Sequence, residues 1–270
     1  MKKTNVIALL PLIMIVGGCI DTPAETSIHT VKKLMSYNVR HCAGMDQKVD
    51  PGRIARTIMA EKPDFVGLQE LDVCTSRSNG VDQPSELGRI TGLYSTFGKT
   101  ISFAGGEYGI MILSREKPLQ VMRIPLPGKE PRLLLLCEFD DCVFGTTHLS
   151  VAEESERIES IGIIRNAIKQ FSTTKPVFLS GDWNSTPESS VLVEMEKFIK
   201  VISKTDAQTF HGGASVDANG NNIDWSMFCI DYIACDATHS SQIHCFNAKV
   251  IDDRVSSDHA PIVVTVESAK

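Results

Sequence analysis

The chain has 270 residues, 42% of them hydrophobic and 22% charged, with 27 Lys and Arg against 33 Asp and Glu. That makeup supports one large buried core and excludes a disordered, collagen-like or coiled-coil chain. A net charge of −6 repels polyanions, so it weighs against a protein that coats nucleic acid through Lys and Arg.

The N-terminal residues stand apart. Met1-Lys2-Lys3 is a basic start, Val6 to Val16 an apolar run, and Gly17-Gly18-Cys19 a small-small-Cys ending. The run is too short to cross a bilayer core of about 30 Å as a helix and reads as an export signal. Its ending resembles a bacterial lipobox. That implies a lipoprotein signal peptide over residues 1–18, acylation of Cys19 and a lipidated tether over residues 19–30. A plain secretory signal is the alternative. Membrane attachment through the lipid and a place in the bacterial cell envelope, periplasmic or cell-surface, are the matching expectations. Loss of Lys2 and Lys3 leaves 25 basic against 33 acidic residues, a net charge of −8.

No repeat or low-complexity stretch divides the remainder, so residues 31–270 are expected to form one domain. In chain order the predicted strands are Lys33 to Val39, Asp64 to Gln69, Tyr108 to Leu113, Arg132 to Phe139, Val143 to His148, Val177 to Ser180, Ile230 to Ala234 and Ile262 to Val266. Several are apolar almost throughout, as strands covered on both faces are. Asp50-Pro51 opens a helix and Lys62-Pro63 closes it. Ser150-x-x-Glu153 reads as a capping box ahead of Ile158, Ile161, Ile164 and Ile168 on one helix face. Strands without intervening helices between Tyr108 and His148 argue for two packed sheets with antiparallel pairs. Gly105-Gly106 lacks the Lys of a phosphate loop and reads as a turn. Cys19 aside, seven cysteines remain. Cys137 and Cys142 can bridge a hairpin; otherwise buried thiols are expected, and no Cys/His cluster has zinc spacing.

Five segments place polar residues directly after an apolar run: Ser36-Tyr37-Asn38, Leu68-Gln69-Glu70, Thr147-His148, Gly181-Asp182-Trp183-Asn184 and Ser257-Asp258-His259. Any one alone reads as a strand-end cap. Together they supply carboxylates for a hard divalent cation, two amides and two imidazoles, the inventory for hydrolysing a phosphoester. With Ile230-Asp231-Tyr232 and Ala260-Pro261 they resemble, in order and over nearly the whole domain, the motifs of the endonuclease/exonuclease/phosphatase superfamily.

The resemblance implies an α/β fold, a four-layered α/β sandwich with two mixed β-sheets packed face to face and flanked by helices. It implies Mg²⁺ or Mn²⁺ held by Glu70 with help from Asn38, with Asp258 as a further metal or water contact. His259 takes the place of the general base and Asp231 of the carboxylate that orients it. Asp182 falls on the attacking water or the metal's water shell, Asn184 on a phosphate oxygen and His148 on the leaving side. Two rim loops bear on substrate choice. Arg77 is a candidate phosphate ligand through its guanidinium fork, or else a solvated arginine, and Tyr108 is a candidate substrate contact. His41, His211, His239 and His244 are expected to be surface or structural residues, and His29 to lie in the tether. The expected activity is metal-dependent hydrolysis of a small or lipid-linked phosphoester by a monomer. An extracytoplasmic nuclease is the alternative, with nucleic acid the less favoured partner, and a catalytically inactive surface binding module the third reading.

Overall fold

The computed structural model describes residues 29–212 and 228–269 besides Met1. The expected signal peptide, Cys19 and the tether up to residue 28 lie outside the described residues. No helix among the described residues is long and apolar enough to cross a membrane.

The first half of the chain supplies β1 (His29–Asn38), α1 (Pro51–Glu61), β2 (Phe65–Val73), α2 (Gln83–Thr91), β3 (Tyr94–Phe103), β4 (Gly106–Ser114) and β5 (Gln120–Leu126). The second supplies β6 (Arg132–Glu138), β7 (Val143–His148), α3 (Glu154–Lys169), β8 (Val177–Asp182), α4 (Ser190–Met195), β9 (Ile199–Val201), β10 (Asp231–Asp236), β11 (Ile243–Val250) and β12 (Ile262–Ala269). They form two six-stranded mixed sheets, ordered β11-β12-β1-β2-β4-β3 and β5-β6-β7-β8-β10-β9. β1 begins at His29, so the last two residues assigned to the tether belong to the sheet, where His29 pairs with Ala269.

Three apolar clusters fill three interfaces, which makes the architecture the expected four-layered sandwich. Met35, Tyr37 and Val66 point from the first sheet onto Ile54 and Ile58 of α1 and Leu87 of α2. Leu34, Phe65 and Ile112 point the other way, against Leu135, Phe144 and Phe178 of the second sheet. The outer face of that sheet, with Leu134, Leu179 and Tyr232, packs on Ile161, Ile164 and Ile168 of α3. Strands covered on both faces have no polar side to alternate with, and this is why the central ones read as continuous apolar runs.

α1 is capped as expected. Asp50 Oδ1 accepts from the Arg53 N–H at 3.1 Å, Pro51 starts the helix and Lys62 ends it in the left-handed region. The capping box of α3 is not formed. The N-cap is Glu153, and Ser150 Oγ instead accepts from the Ala152 N–H and donates to Glu156. Ile158 is 37% exposed. At about 100° per residue it lies some 120° around the helix from Ile164, at the margin of the buried stripe. The Cys137–Cys142 bridge is absent. All seven described cysteines are free, and the β6–β7 turn is closed by the Phe139 N–H on Cys142 O. Ala104 and Gly105 make the β3–β4 turn, while Gly106 already pairs with Phe103.

Where β1, β7 and β8 stop, beside the bulge in β2, the seam between the sheets turns polar. Gln69 Nε2 donates to Thr146 Oγ1 across it at 2.8 Å, with Ser36 and Ser180 buried alongside. Gly67 permits the approach, because a Cβ there would lie 2.1 Å from Ser180 Oγ. Register then sets His148 beside Asp182 on one flank and Asp231 beside it on the other.

Gly181, one residue earlier, is equally constrained, since its Cβ would sit 2.2 Å from the Thr147 carbonyl oxygen. Gly181→Ala is expected to destabilise the domain by about 1–3 kcal/mol, the usual range for overpacking a filled core, and to lower any activity by displacing Asp182. Urea unfolding checks this: a midpoint equal to wild type would show that β7 can give way.

Candidate active site

At this strand edge a cleft of about 500 Å³ opens, and Glu70, Tyr108, His148, Asp182, Asn184, Asp258 and His259 all line it. Asn38 and Asp231 stand behind them, fully buried. Residues far apart in sequence therefore share one site, as expected.

Asp182, at the end of β8, is the hub. Its Oδ1 accepts from the Asn184 N–H at 2.9 Å and its Oδ2 from Asn38 Nδ2 at 3.0 Å. Two imidazoles face the same Oδ2, His148 Nε2 at 3.5 Å and His259 Nε2 at 3.6 Å. His259 Nδ1 is 2.8 Å from Asp231 Oδ2, the one hydrogen bond of a buried carboxylate whose Oδ1 has no partner among the described residues. Thr209 fixes the pair from behind: its Oγ1 accepts from the Ile230 and Asp231 N–H groups, and its carbonyl accepts from Ala260 N–H. Glu70 owes its aim to a bulge. The β2–β4 register shifts between Leu68 and Leu71, and Glu70 sits there at φ 61, conformationally strained and turned into the cleft.

Burial alone would strip the proton from His259, but the carboxylates of Asp231 and Asp182 outweigh it and hold the imidazolium well above the ordinary histidine range. His148 is the opposite case. Burial pushes it down to about 4, beyond what Asp182 restores, so at neutral pH it carries no charge and can offer the cleft a hydrogen bond rather than a proton. Glu70 is raised, first by burial, with Asp258 and Asp182 adding repulsion.

That crowd of carboxylates fits a divalent cation at Glu70, where added positive charge relieves both burial and repulsion. Asn38 does not fit the role of direct ligand. Its Oδ1 accepts from Arg40 N–H, which fixes the amide so that Nδ2 faces Glu70 and Asp182, each at 3.0 Å. It spaces the two carboxylates. Asp258 faces Arg40 Nε at 3.5 Å, a partner that a cation would have to displace. Asp182, Asp231 and His259 also bring ligand atoms within 4.8 Å of one another, but the short His259–Asp231 bond is that of a proton-bearing pair, and a cation there would break it.

Arg77 does not reach for phosphate. Its fork is taken by buried Asp72, with Nε and Nη2 each 2.8 Å from a carboxylate oxygen, and it stacks over Phe103 and Tyr108. It braces Tyr108, which does line the cleft. Asn184 Nδ2 donates to Leu149 O at 3.0 Å, keeping its second N–H for a ligand. Of the remaining histidines, His211 Nε2 lies 3.0 Å from Ser257 O, and His239 pairs with buried Asp236. Missed by the sequence reading are Arg132, Glu130 and Phe210, which line the cleft. A charged residue heading the apolar run Leu133 to Leu136 was the available signal for Arg132.

Fold and site define a phosphoester hydrolase scaffold, and residues 35–259 match the Endonuclease/Exonuclease/phosphatase family model. The chain belongs to that family. Among solved structures it is similar to an endonuclease/exonuclease/phosphatase from Beutenbergia cavernae, with 22% identity, 88% of this chain and 72% of that one covered, and a TM-score of 0.72. It is also similar to a mannosyl-6-phosphatase from Bacteroides thetaiotaomicron, at 18% identity, 87% and 99% coverage and a TM-score of 0.66. A third is D. rerio TDP2 complexed with a single-strand DNA product, at 18%, 88% and 99%, and 0.66. No curated protein matches the sequence.

Burial works against the Asp72 carboxylate, but hydrogen bonds from Arg77 and Thr75 hold it below the usual range. Arg77→Ala should therefore cost about 3 kcal/mol of stability by leaving a buried carboxylate uncompensated. A depressed folded value means that this stabilisation is complete above the ordinary aspartate range near ~3.9 and disappears as pH falls through the folded value. Unfolding at pH 7 and pH 3 measures it: a deficit equal at both would show that the pair is not its source.

Proposed function

We propose that the chain is a phosphatase or phosphodiesterase that uses Mg²⁺ or Mn²⁺ to hydrolyse a small phosphoester outside the cytoplasm. The observation that carries this is the buried Asp231–His259 pair, 2.8 Å long, beside Asp182 and opening onto the cleft that Glu70 lines. Glu70 would hold the cation, spaced from Asp182 by Asn38, and the cation supplies charge neutralisation at the phosphate. His259 takes the proton of the attacking water. Asp231 fixes the tautomer, leaving Nε2 toward the cleft, and stabilises the imidazolium that forms. Asp182 accepts from the water's other hydrogen. Asn184 and neutral His148 donate to oxygens whose negative charge grows.

Two observations bear on substrate. The described lining sets Glu70, Glu130, Asp182 and Asp258 against Arg132, a poor track for the repeated phosphates of a nucleic acid, so the nuclease reading is the weaker one. The mannosyl-6-phosphatase neighbour is in keeping with a small phosphoester. The tether from the proposed lipid anchor at Cys19 would enter the domain at the start of β1, whereas Asn38 ends that strand nine residues on. At about 3.3 Å per residue the start of that strand and the cleft lie some 30 Å apart, which is in keeping with a water-borne substrate.

Screening phosphate mono- and diesters with Mg²⁺ and Mn²⁺ tests the activity. On a substrate so found, His259→Ala should lower turnover about 10²- to 10⁴-fold, whereas Glu70→Gln should raise the metal concentration required. Because the base must be unprotonated and its carboxylates favour the proton, wild-type kcat/KM should climb toward alkaline pH. Asp231→Asn should move that limb to lower pH while reducing its plateau. Turnover near wild type in His259→Ala would rule the mechanism out.

A further inference from the structure

Arg132 opens β6 opposite Leu126 of β5, lines the cleft with His148 and Tyr108, and has no part in the chemistry above. Its side chain is only 5% exposed. Nη1 donates to Glu130, whose own side chain is 45% exposed at the rim, while Nε is buried without any acceptor. A guanidinium has five N–H donors and does not lose its charge. One this deep, with a single half-exposed carboxylate among the described residues, is under-satisfied, and buried donors in folded proteins find acceptors from protein, water or ligand. Arg132 lines the cleft, so an acceptor for its remaining N–H groups can come from there.

We propose that Arg132 is the phosphate anchor of this cleft and that it selects phosphomonoesters over diesters. The inference rests on the hydrolase reading and sharpens its substrate class. A monoester has three terminal oxygens, so it can give two to the guanidinium and still turn one toward Glu70 and His259. A diester has two, and cannot fill the guanidinium fork and still turn an oxygen to the opposite wall. A monoester also brings about −1.5 to −2 of charge at neutral pH, against −1 for a diester, so a second fixed cation gains more from it. Glu130 holds the guanidinium in place and gives it up when phosphate enters.

The probes are p-nitrophenyl phosphate, bis(p-nitrophenyl) phosphate and inorganic phosphate. Wild type should prefer the monoester. Arg132→Gln should reduce that preference by about 10- to 100-fold, the worth of a charge-assisted hydrogen bond, with the loss falling on KM. Independently of activity, inorganic phosphate with EDTA present should raise the Tm of wild type, little or not at all that of Arg132→Gln, and further that of Glu130→Gln, whose guanidinium is released. Glu130→Gln changes an exposed rim residue and keeps the test usable if Arg132→Gln misfolds. Wild-type turnover of neither ester would defeat the hydrolase reading while the phosphate shift still judged Arg132. An unchanged ester preference in Arg132→Gln would overturn the proposal, as would equal phosphate shifts in wild type and both variants.

Discussion

The arrangement depends on one buried carboxylate. Asp182 is reached by Asn38 from the facing sheet, by His148 from the neighbouring strand and by His259 from the loop before β12. A charge this deep is tolerable only when its oxygens are met by donors, so the two sheets must approach closely at this end. The Asn38 bond ties them across the seam. Gln69 and Thr146 continue the tie beneath it, and the missing side chain at Gly67 leaves the room. A purely apolar seam would bury as much surface and still leave Asp182 without its partner from the first sheet.

Backbone strain gathers around the same point. Arg40, His41, Cys42, Glu70 and Asn184 all have positive φ, an uncommon conformation for residues with a Cβ. Packing enforces it. Trp183 lies 4.7 Å from the ring of Tyr232, and Tyr232 Oη is 2.7 Å from both Ser185 O and Cys229 O, so the loop after Asp182 cannot relax without opening the core. The bulge at Glu70 is likewise held by β4 on either side. Rigid strands thus aim side chains that regular strand geometry would point elsewhere, as a preorganised site requires.

Most of this was legible in the sequence, and the exceptions share a cause. All eight expected strands exist, whereas the unexpected β3, β5, β9 and β11 are the four edges of the two sheets. Edge strands are half-exposed, so β3 and β11 mix polar with apolar residues and lack the continuous apolar run that identifies a doubly covered strand. The polar residues ending central strands were readable because an apolar run stops abruptly at each. Arg77 misled because a loop arginine near a glutamate looks like a phosphate ligand. Its partner Asp72 sits inside a strand, and only the fold brings the two into bidentate contact. The amide of Asn38 was assigned to the right place, but sequence does not say which of its atoms faces the carboxylates, and here it is Nδ2.

Charge explains why a base alone would not make this cleft hydrolytic. A phosphate entering from water leaves a solvent that stabilises it for a wall carrying Glu70, Glu130, Asp182 and Asp258, on a chain of net charge −6. On the proposed reading, positive charge is assembled locally, from a cation at Glu70 on β2 and Arg132 on β6, and His259 before β12 becomes positive only as it takes the proton of the attacking water. Each is paired to a carboxylate that holds it: Asp231 keeps His259 aimed, Glu130 keeps Arg132 at the wall, and Glu70 provides the place for the cation. The same pairing limits what the site accepts. One phosphate can occupy the ring of positive groups, but a second phosphate along a polymer would face the acidic surface beyond it, and repulsion there falls off only over a Debye length of about 8–10 Å. On the proposed reading, selection against polyanions would follow from the same carboxylates.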